Sequence, residues 1–129
     1  MEGNAHNQES KILIVDDDKN VTFFLEKFLK QKGYTQIQAV TTGEEGLKVV
    51  QEGNIKLVLL DIRLPDIDGV EVLRKIKRIN KDISVIMITA FPDEKIAKGA
   101  IEEGACDYIV KPFDLAYLKA SVDNKIRNI

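Results

Sequence analysis

The sequence predicts an α/β domain in which five parallel strands form one doubly wound sheet with helices on both faces. Three observations carry this. Five short apolar runs alternate with longer stretches of helical period, and such alternation implies βαβ crossovers. Four of the five runs are continuously apolar or nearly so and rich in Ile and Val, as strands buried on both faces are. The chain has 129 residues, enough for one domain and too few for two.

Residues 1–10, MEGNAHNQES, are polar and read as a disordered lead, so the folded domain is expected over 11–129. The first strand is Ile12–Val15 (ILIV). Val21, Phe24, Leu25, Phe28 and Leu29 then mark one face of a helix that Gly33 closes. Ile37–Val40 (IQAV) is a more polar strand, expected nearer an edge. Leu47 and Val50 mark a short second helix ended by Gly53. Leu57–Leu60 (LVLL) is the third strand, and Val72, Leu73, Ile76 and Ile79 mark the third helix. Val85–Ile88 (VIMI) is followed by a helix through Ile96, Ala97, Ala100 and Ile101, stopped at Gly104. Tyr108–Val110 (YIV) precedes the last helix, marked by Leu115, Leu118, Val122 and Ile126 and capped by Asp114.

Composition narrows the function classes. Nineteen Lys and Arg stand against twenty-one Asp and Glu, a balance that disfavours nucleic acid or an anionic membrane as the main partner. No apolar run approaches the ~20 residues that span a bilayer. The polar lead lacks the apolar core of a signal peptide. The single cysteine, Cys106, excludes an intramolecular disulfide and fits a reducing compartment. A cytoplasmic protein is the expectation.

The chemistry-bearing residues fall at the carboxyl ends of the strands. Asp16, Asp17 and Asp18 follow the first, Asp61 the third, Thr89 the fourth and Lys111 the fifth. In a parallel sheet these ends share one edge, where open α/β folds bind ligands, so residues 16 to 111 are expected to converge there. Asp16, Asp17 and Asp61 crowded together repel one another unless compensated. A hard divalent cation such as Mg²⁺, taking carboxylate and phosphate oxygens, is one compensation, and Lys111 is another. Carboxylates, a hydroxyl from Thr89 and a lysine around Mg²⁺ are parts that phosphoryl transfer uses, and a carboxylate can itself be the nucleophile.

The stretches KILIVDDD, LVLLDIRLPDIDG, VIMITA and DYIVKPFD resemble the receiver domain of two-component response regulators, from Lys11 to about Asn128. The resemblance implies a flavodoxin-like (CheY-like) sheet with strand order 2-1-3-4-5. It makes Asp61 the phosphoacceptor and Asp17 a direct Mg²⁺ ligand assisted by Asp16, with the backbone carbonyl of Arg63 as a further ligand. It places Thr89 and the amide of Ala90 on the phosphoryl oxygens and Lys111 beside them. Tyr108 matches an aromatic switch that turns inward with Thr89, and Lys111–Pro112 matches a peptide bond usually cis in the family. Arg63 and Phe91 occupy positions that vary among receivers and tune phosphoryl lifetime. The implied partners are a sensor histidine kinase or histidine phosphotransfer protein upstream, and a downstream protein or a missing output domain. A phosphorylation-dependent dimer is also implied. The role is signalling, not metabolic catalysis.

Plainer roles stand beside these. Asp18 reads as the cap of the first helix, and Asp66 and Asp68 as turn acids in LPDIDG. Tyr108 fits core-edge packing, Cys106 a small buried position, and Phe113 and Tyr117 packing of the last helix. His6, in the lead, is no candidate phosphodonor. The competing function is a receiver-like docking module that works without phosphorylation. A flavin-binding protein would want a Gly, Ser and Thr-rich loop where DDDKN stands, and an aspartate-nucleophile hydrolase would want a second Asp where Arg63 stands.

Overall fold

The computed structural model describes residues 11–127, so the predicted lead and His6 lie outside the described residues. Its strands are β1 (Lys11–Val15), β2 (Ile37–Val40), β3 (Ile55–Asp61), β4 (Ser84–Thr89) and β5 (Asp107–Val110). Its helices are α1 (Lys19–Gln31), α2 (Gly43–Glu52), α3 (Gly69–Ile79), α4 (Glu94–Glu102) and α5 (Leu115–Arg127). All strand pairs are parallel and the order is β2-β1-β3-β4-β5. This is the predicted fold and strand order.

Period-two alternation divides the strand side chains between two cores. Leu13, Val15, Val58, Leu60, Val85 and Met87 face Val49 and Val50 of α2, Val72, Leu73 and Ile76 of α3, and Ala100 of α4. Ile12, Ile14, Leu57, Leu59, Ile86 and Ile88 face Leu25, Phe28 and Leu29 of α1 and Leu118, Val122 and Ile126 of α5. β3 lies at the centre and is buried along nearly its whole length. Each such Leu or Ile contributes about 1.5–3 kcal/mol by leaving water.

Three strands differ from the sequence expectation, two in where they end and one in its place in the sheet. β3 and β4 run one residue further than their apolar runs, so Asp61 and Thr89 end the strands instead of following them. The ladder explains this: Asp61 pairs in register with Ile88, and Thr89 with Val110. β5 reads as apolar as the central strands, yet it forms the sheet's second edge and leaves Val110 40% exposed. β2 is the other edge, as its polarity predicts.

Every helix begins on the same edge of the sheet, behind an acid or hydroxyl that caps it. Asp18, Thr42, Asp68 and Asp93 are the N-caps of α1 to α4. Asp114 accepts the Tyr117 amide at the start of α5 at 3.2 Å. The helices α1, α2 and α4 stop where Gly33, Gly53 and Gly104 follow them, each with positive φ.

Candidate functional site

The caps and strand ends set the frame for the acidic cluster. Asp16 leaves β1 with its side chain turned inward, where Oδ1 accepts the Asp18 amide at 2.9 Å. Asp61 ends β3, and its Oδ1 accepts the Arg63 amide at 3.2 Å. Both are buried, whereas Asp17 is exposed. A carboxylate oxygen from each of Asp16, Asp17 and Asp61 lies within 4.8 Å of the others. Lys111, arriving from the end of β5, donates Nζ to Asp16 Oδ2 at 2.7 Å and lies 3.6 Å from Asp61 Oδ2. The predicted convergence of residues 16, 17, 61 and 111 is therefore present.

One lysine faces three carboxylates, and the imbalance falls on Asp61. Burial, then the charge of Asp16, push its carboxyl up to about 6, against the opposing pull of Lys111 and the Arg63 amide. Oxygen donors alone, excess negative charge and one solvent-facing acid form a set suited to a hard divalent cation.

Thr89 is buried at the end of β4, adjoining β3 in the sheet, with Ala90 exposed beside it. Its hydroxyl is engaged within its own turn, accepting the Phe91 amide at 3.0 Å. Tyr108 is half-buried against the α2–α3–α4 core, and its hydroxyl accepts the Asp93 amide at 3.4 Å. The Lys111–Pro112 bond is cis, as the resemblance implies.

Arg63 stands over the ring of Phe91, with its guanidinium carbon 4.5 Å from the ring centroid. The sequence marks these two residues separately, and the fold joins them. Asp18 and Asp68 are helix caps, the first as expected and the second instead of a plain turn acid. Phe113 stacks on Phe24 of α1 at 6.3 Å. The Tyr117 hydroxyl donates to the two oxygens of Asp107 at 2.9 and 2.8 Å, with Ser121 donating to Oδ2 at 2.6 Å. Cys106 is half-buried, with Sγ 3.3 Å from the Val85 carbonyl.

The sequence matches the family described as "Response regulator receiver domain" over residues 12–123. The chain belongs to that family. A receiver domain protein (CheY-like) from Methanospirillum hungatei superposes with a TM-score of 0.87 at 30% identity, over 92% of this chain and 94% of that one. Sporulation initiation phosphotransferase F of Bacillus subtilis is 36% identical, over 87% of this receiver and 90% of its own length. In the CheX-CheY-BeF3-Mg+2 complex from Borrelia burgdorferi, a chain 34% identical aligns with a TM-score of 0.84, over 88% of this receiver and 87% of that chain. Other curated relatives are longer: this receiver spans 51% of one transcriptional regulator and 26% of another. Among the described residues, no helix is long and apolar enough to cross a membrane.

Proposed function

We propose that this receiver is a Mg²⁺-dependent phosphoacceptor in which Asp61 takes a phosphoryl group from the phosphohistidine of a cytoplasmic kinase or phosphotransfer protein. The observation that carries the reading is the cluster itself: Asp16, Asp17 and Asp61 within 4.8 Å, answered by Lys111. In the reaction a carboxylate oxygen of Asp61 attacks phosphorus in line. The new O–P bond forms as the donor's N–P bond breaks and the imidazole leaves. Only ionised Asp61 is a nucleophile; in the metal-free chain burial and Asp16 push its carboxyl up to about 6, and a cation bound beside it would favour the ionised form. Mg²⁺, held by Asp16, Asp17, Asp61 and the Arg63 carbonyl, would neutralise charge on the phosphoryl oxygens. Lys111 presents an ammonium to the same group, and its tie to Asp16 fixes it there.

The product brings about two negative charges and three acceptor oxygens to the sheet edge. The Thr89 hydroxyl and Ala90 amide then turn to those oxygens. Phe91 and the loop before α4 move with them, which releases Tyr108 from the Asp93 amide. The surface around α4 and β5 is what a downstream partner or an output domain reads, and a second copy of the chain is one such partner. An open apolar hollow lined by Val21, Phe24, Pro112, Phe113 and Leu115 adjoins Lys111 and suits the docking of the phosphodonor. This role is signalling, not metabolic catalysis.

The test is intact mass after incubation with acetyl phosphate. One added phosphoryl group, absent without Mg²⁺ and absent in Asp61→Asn, is expected. No gain, with Mg²⁺ binding intact, favours the docking-module reading instead.

Phe91 provides a second expectation. Its ring supports the guanidinium of Arg63, whose amide donates to the acceptor, so Phe91→Ala is expected to free that side chain and ease the approach of water. Phosphoryl loss should then quicken by about two- to five-fold, the rate equivalent of the contact's 0.5–1 kcal/mol. An unchanged decay of the phosphorylated mass removes the shielding role.

A further inference from the structure

Asp66 stands at the tip of the loop between β3 and α3, yet its carboxylate is spent on another element. Oδ1 accepts the amide of Gly43 and Oδ2 that of Glu44, both at 2.9 Å, at the first turn of α2. Thr42 already caps that helix by accepting the Glu45 amide at 3.1 Å. Asp66 therefore completes a set of amides that α2 leaves without helical partners. Desolvation is the largest single influence and raises its carboxyl, but the amides of Glu44 and Gly43, joined by those of Asp66 itself and Ile67, together hold it below the ordinary aspartate value.

The base of the same loop is closed independently. Arg63 and Asp68 form an antiparallel bridge, and the Gly69 amide donates to the Ile62 carbonyl at 2.8 Å. The start of α2 is also seated closely against α3 and the loop. A Cβ on Gly43 would lie 2.8 Å from Val72 Cγ2 and 3.4 Å from Ile67 Cβ. Arg63 thus belongs to a short loop held at its base by the sheet and α3, and at its tip by α2.

We propose that Asp66 is a positioning residue: by clamping this loop to α2, it fixes the backbone at Arg63 before a cation arrives and couples cation binding to the first turn of α2. The inference rests on the cation reading above and deepens it. A loop released at its tip has backbone freedom that the incoming cation must remove, so affinity falls without the loss of any ligand. Coupling of this kind is reciprocal, so the cation in turn steadies the Gly43 and Glu44 amides.

The experiment titrates Mg²⁺ into the metal-free parent, Asp66→Ala and Asp66→Asn by calorimetry, and follows hydrogen exchange at Gly43 and Glu44. Asp66→Ala is expected to bind Mg²⁺ about five-fold more weakly, the scale of one lost helix cap. Asp66→Asn falls between, since its side-chain oxygen retains one of the two amides. With acetyl phosphate, half-saturating Mg²⁺ rises in Asp66→Ala while the rate at saturating Mg²⁺ is retained. In the parent, Mg²⁺ slows exchange at Gly43 and Glu44, and in Asp66→Ala that slowing disappears. Equal Mg²⁺ affinities in parent and variants overturn the clamp alone, even if Asp66→Ala unfolds at a lower temperature. Exchange in the parent that ignores bound Mg²⁺ also overturns it. A parent that fails to bind Mg²⁺ overturns the cation reading and the clamp with it.

Discussion

In the absence of divalent cations at pH 7.5, Asp61→Asn is expected to be more stable than the parent by about 2–3 kcal/mol, although it takes up no phosphoryl group. The cause is the burial of Asp61 beside Asp16, which pushes its carboxyl from 3.8 up to about 6. The folded chain holds this proton more tightly than the unfolded chain does. The stability this group contributes is therefore full below about pH 3.8 and lost as pH rises through about 6. A rise of about two pH units corresponds to about 3 kcal/mol, which Asn, neutral at every pH, does not lose. Urea unfolding at pH 7.5 and at pH 4.5 checks both the sign and the window, since the advantage of Asn should fall to about 1 kcal/mol, roughly a third, at the lower pH. Added Mg²⁺ should stabilise the parent more at pH 7.5 than at pH 4.5 and leave Asp61→Asn nearly unmoved. An Asn variant less stable than the metal-free parent at pH 7.5 would show that Lys111 outweighs the repulsion.

Gly69→Ala should be the most damaging single-carbon change in the domain. Ala ordinarily stabilises a helix over Gly by about 1 kcal/mol, and Gly69 opens α3. Here the added Cβ would collide with the carbonyl oxygen of Asp61, and would lie 2.6 Å from Ile62 Cα and 2.7 Å from Ile62 O. These are backbone atoms at the end of the central strand, with no rotamer to move aside. Either α3 withdraws from β3 or the strand end carrying Asp61 shifts, and both sacrifice packing of Val72, Leu73 and Ile76. The expected cost is about 3 kcal/mol or more, so packing decides the sign over helix propensity. A lowered urea midpoint together with slowed acetyl phosphate labelling is the predicted pair of results. A midpoint at or above that of the parent would contradict the close approach.

Much of this was legible in the sequence because its signals are local. Apolar runs of four residues mark the strands, helical spacing marks the helices, and polar residues at the ends of those runs mark the edge where they converge. Asp18 needed only its neighbour Asn20 to act as a cap. What the sequence concealed is long-range. Asp66 finds its amide partners 22 and 23 residues earlier in the chain. The link from Asp107 to Tyr117 and Ser121 joins residues 10 and 14 apart on two elements. Phe113 reaches back to Phe24 across the gap between the last loop and the first helix. The edge position of β5 was hidden for a different reason: an apolar run states which side chains avoid water, not how many neighbouring strands shield them. The elevated carboxyl of Asp61 likewise arises from burial and from Asp16, neither of which is adjacent to it in the chain.

The ion pair between Asp16 and Lys111 closes a span of 95 residues. A ribosome that has delivered β1 and β3 has produced the acids but not the lysine, and the last strand must dock before the cluster is whole. On the phosphoacceptor reading proposed above, the site would be complete only once synthesis has passed Lys111 and β5 has docked. On that reading a half-emerged chain would hold its acids without their cation, so the late position of one lysine would tie competence of the site to completion of the domain.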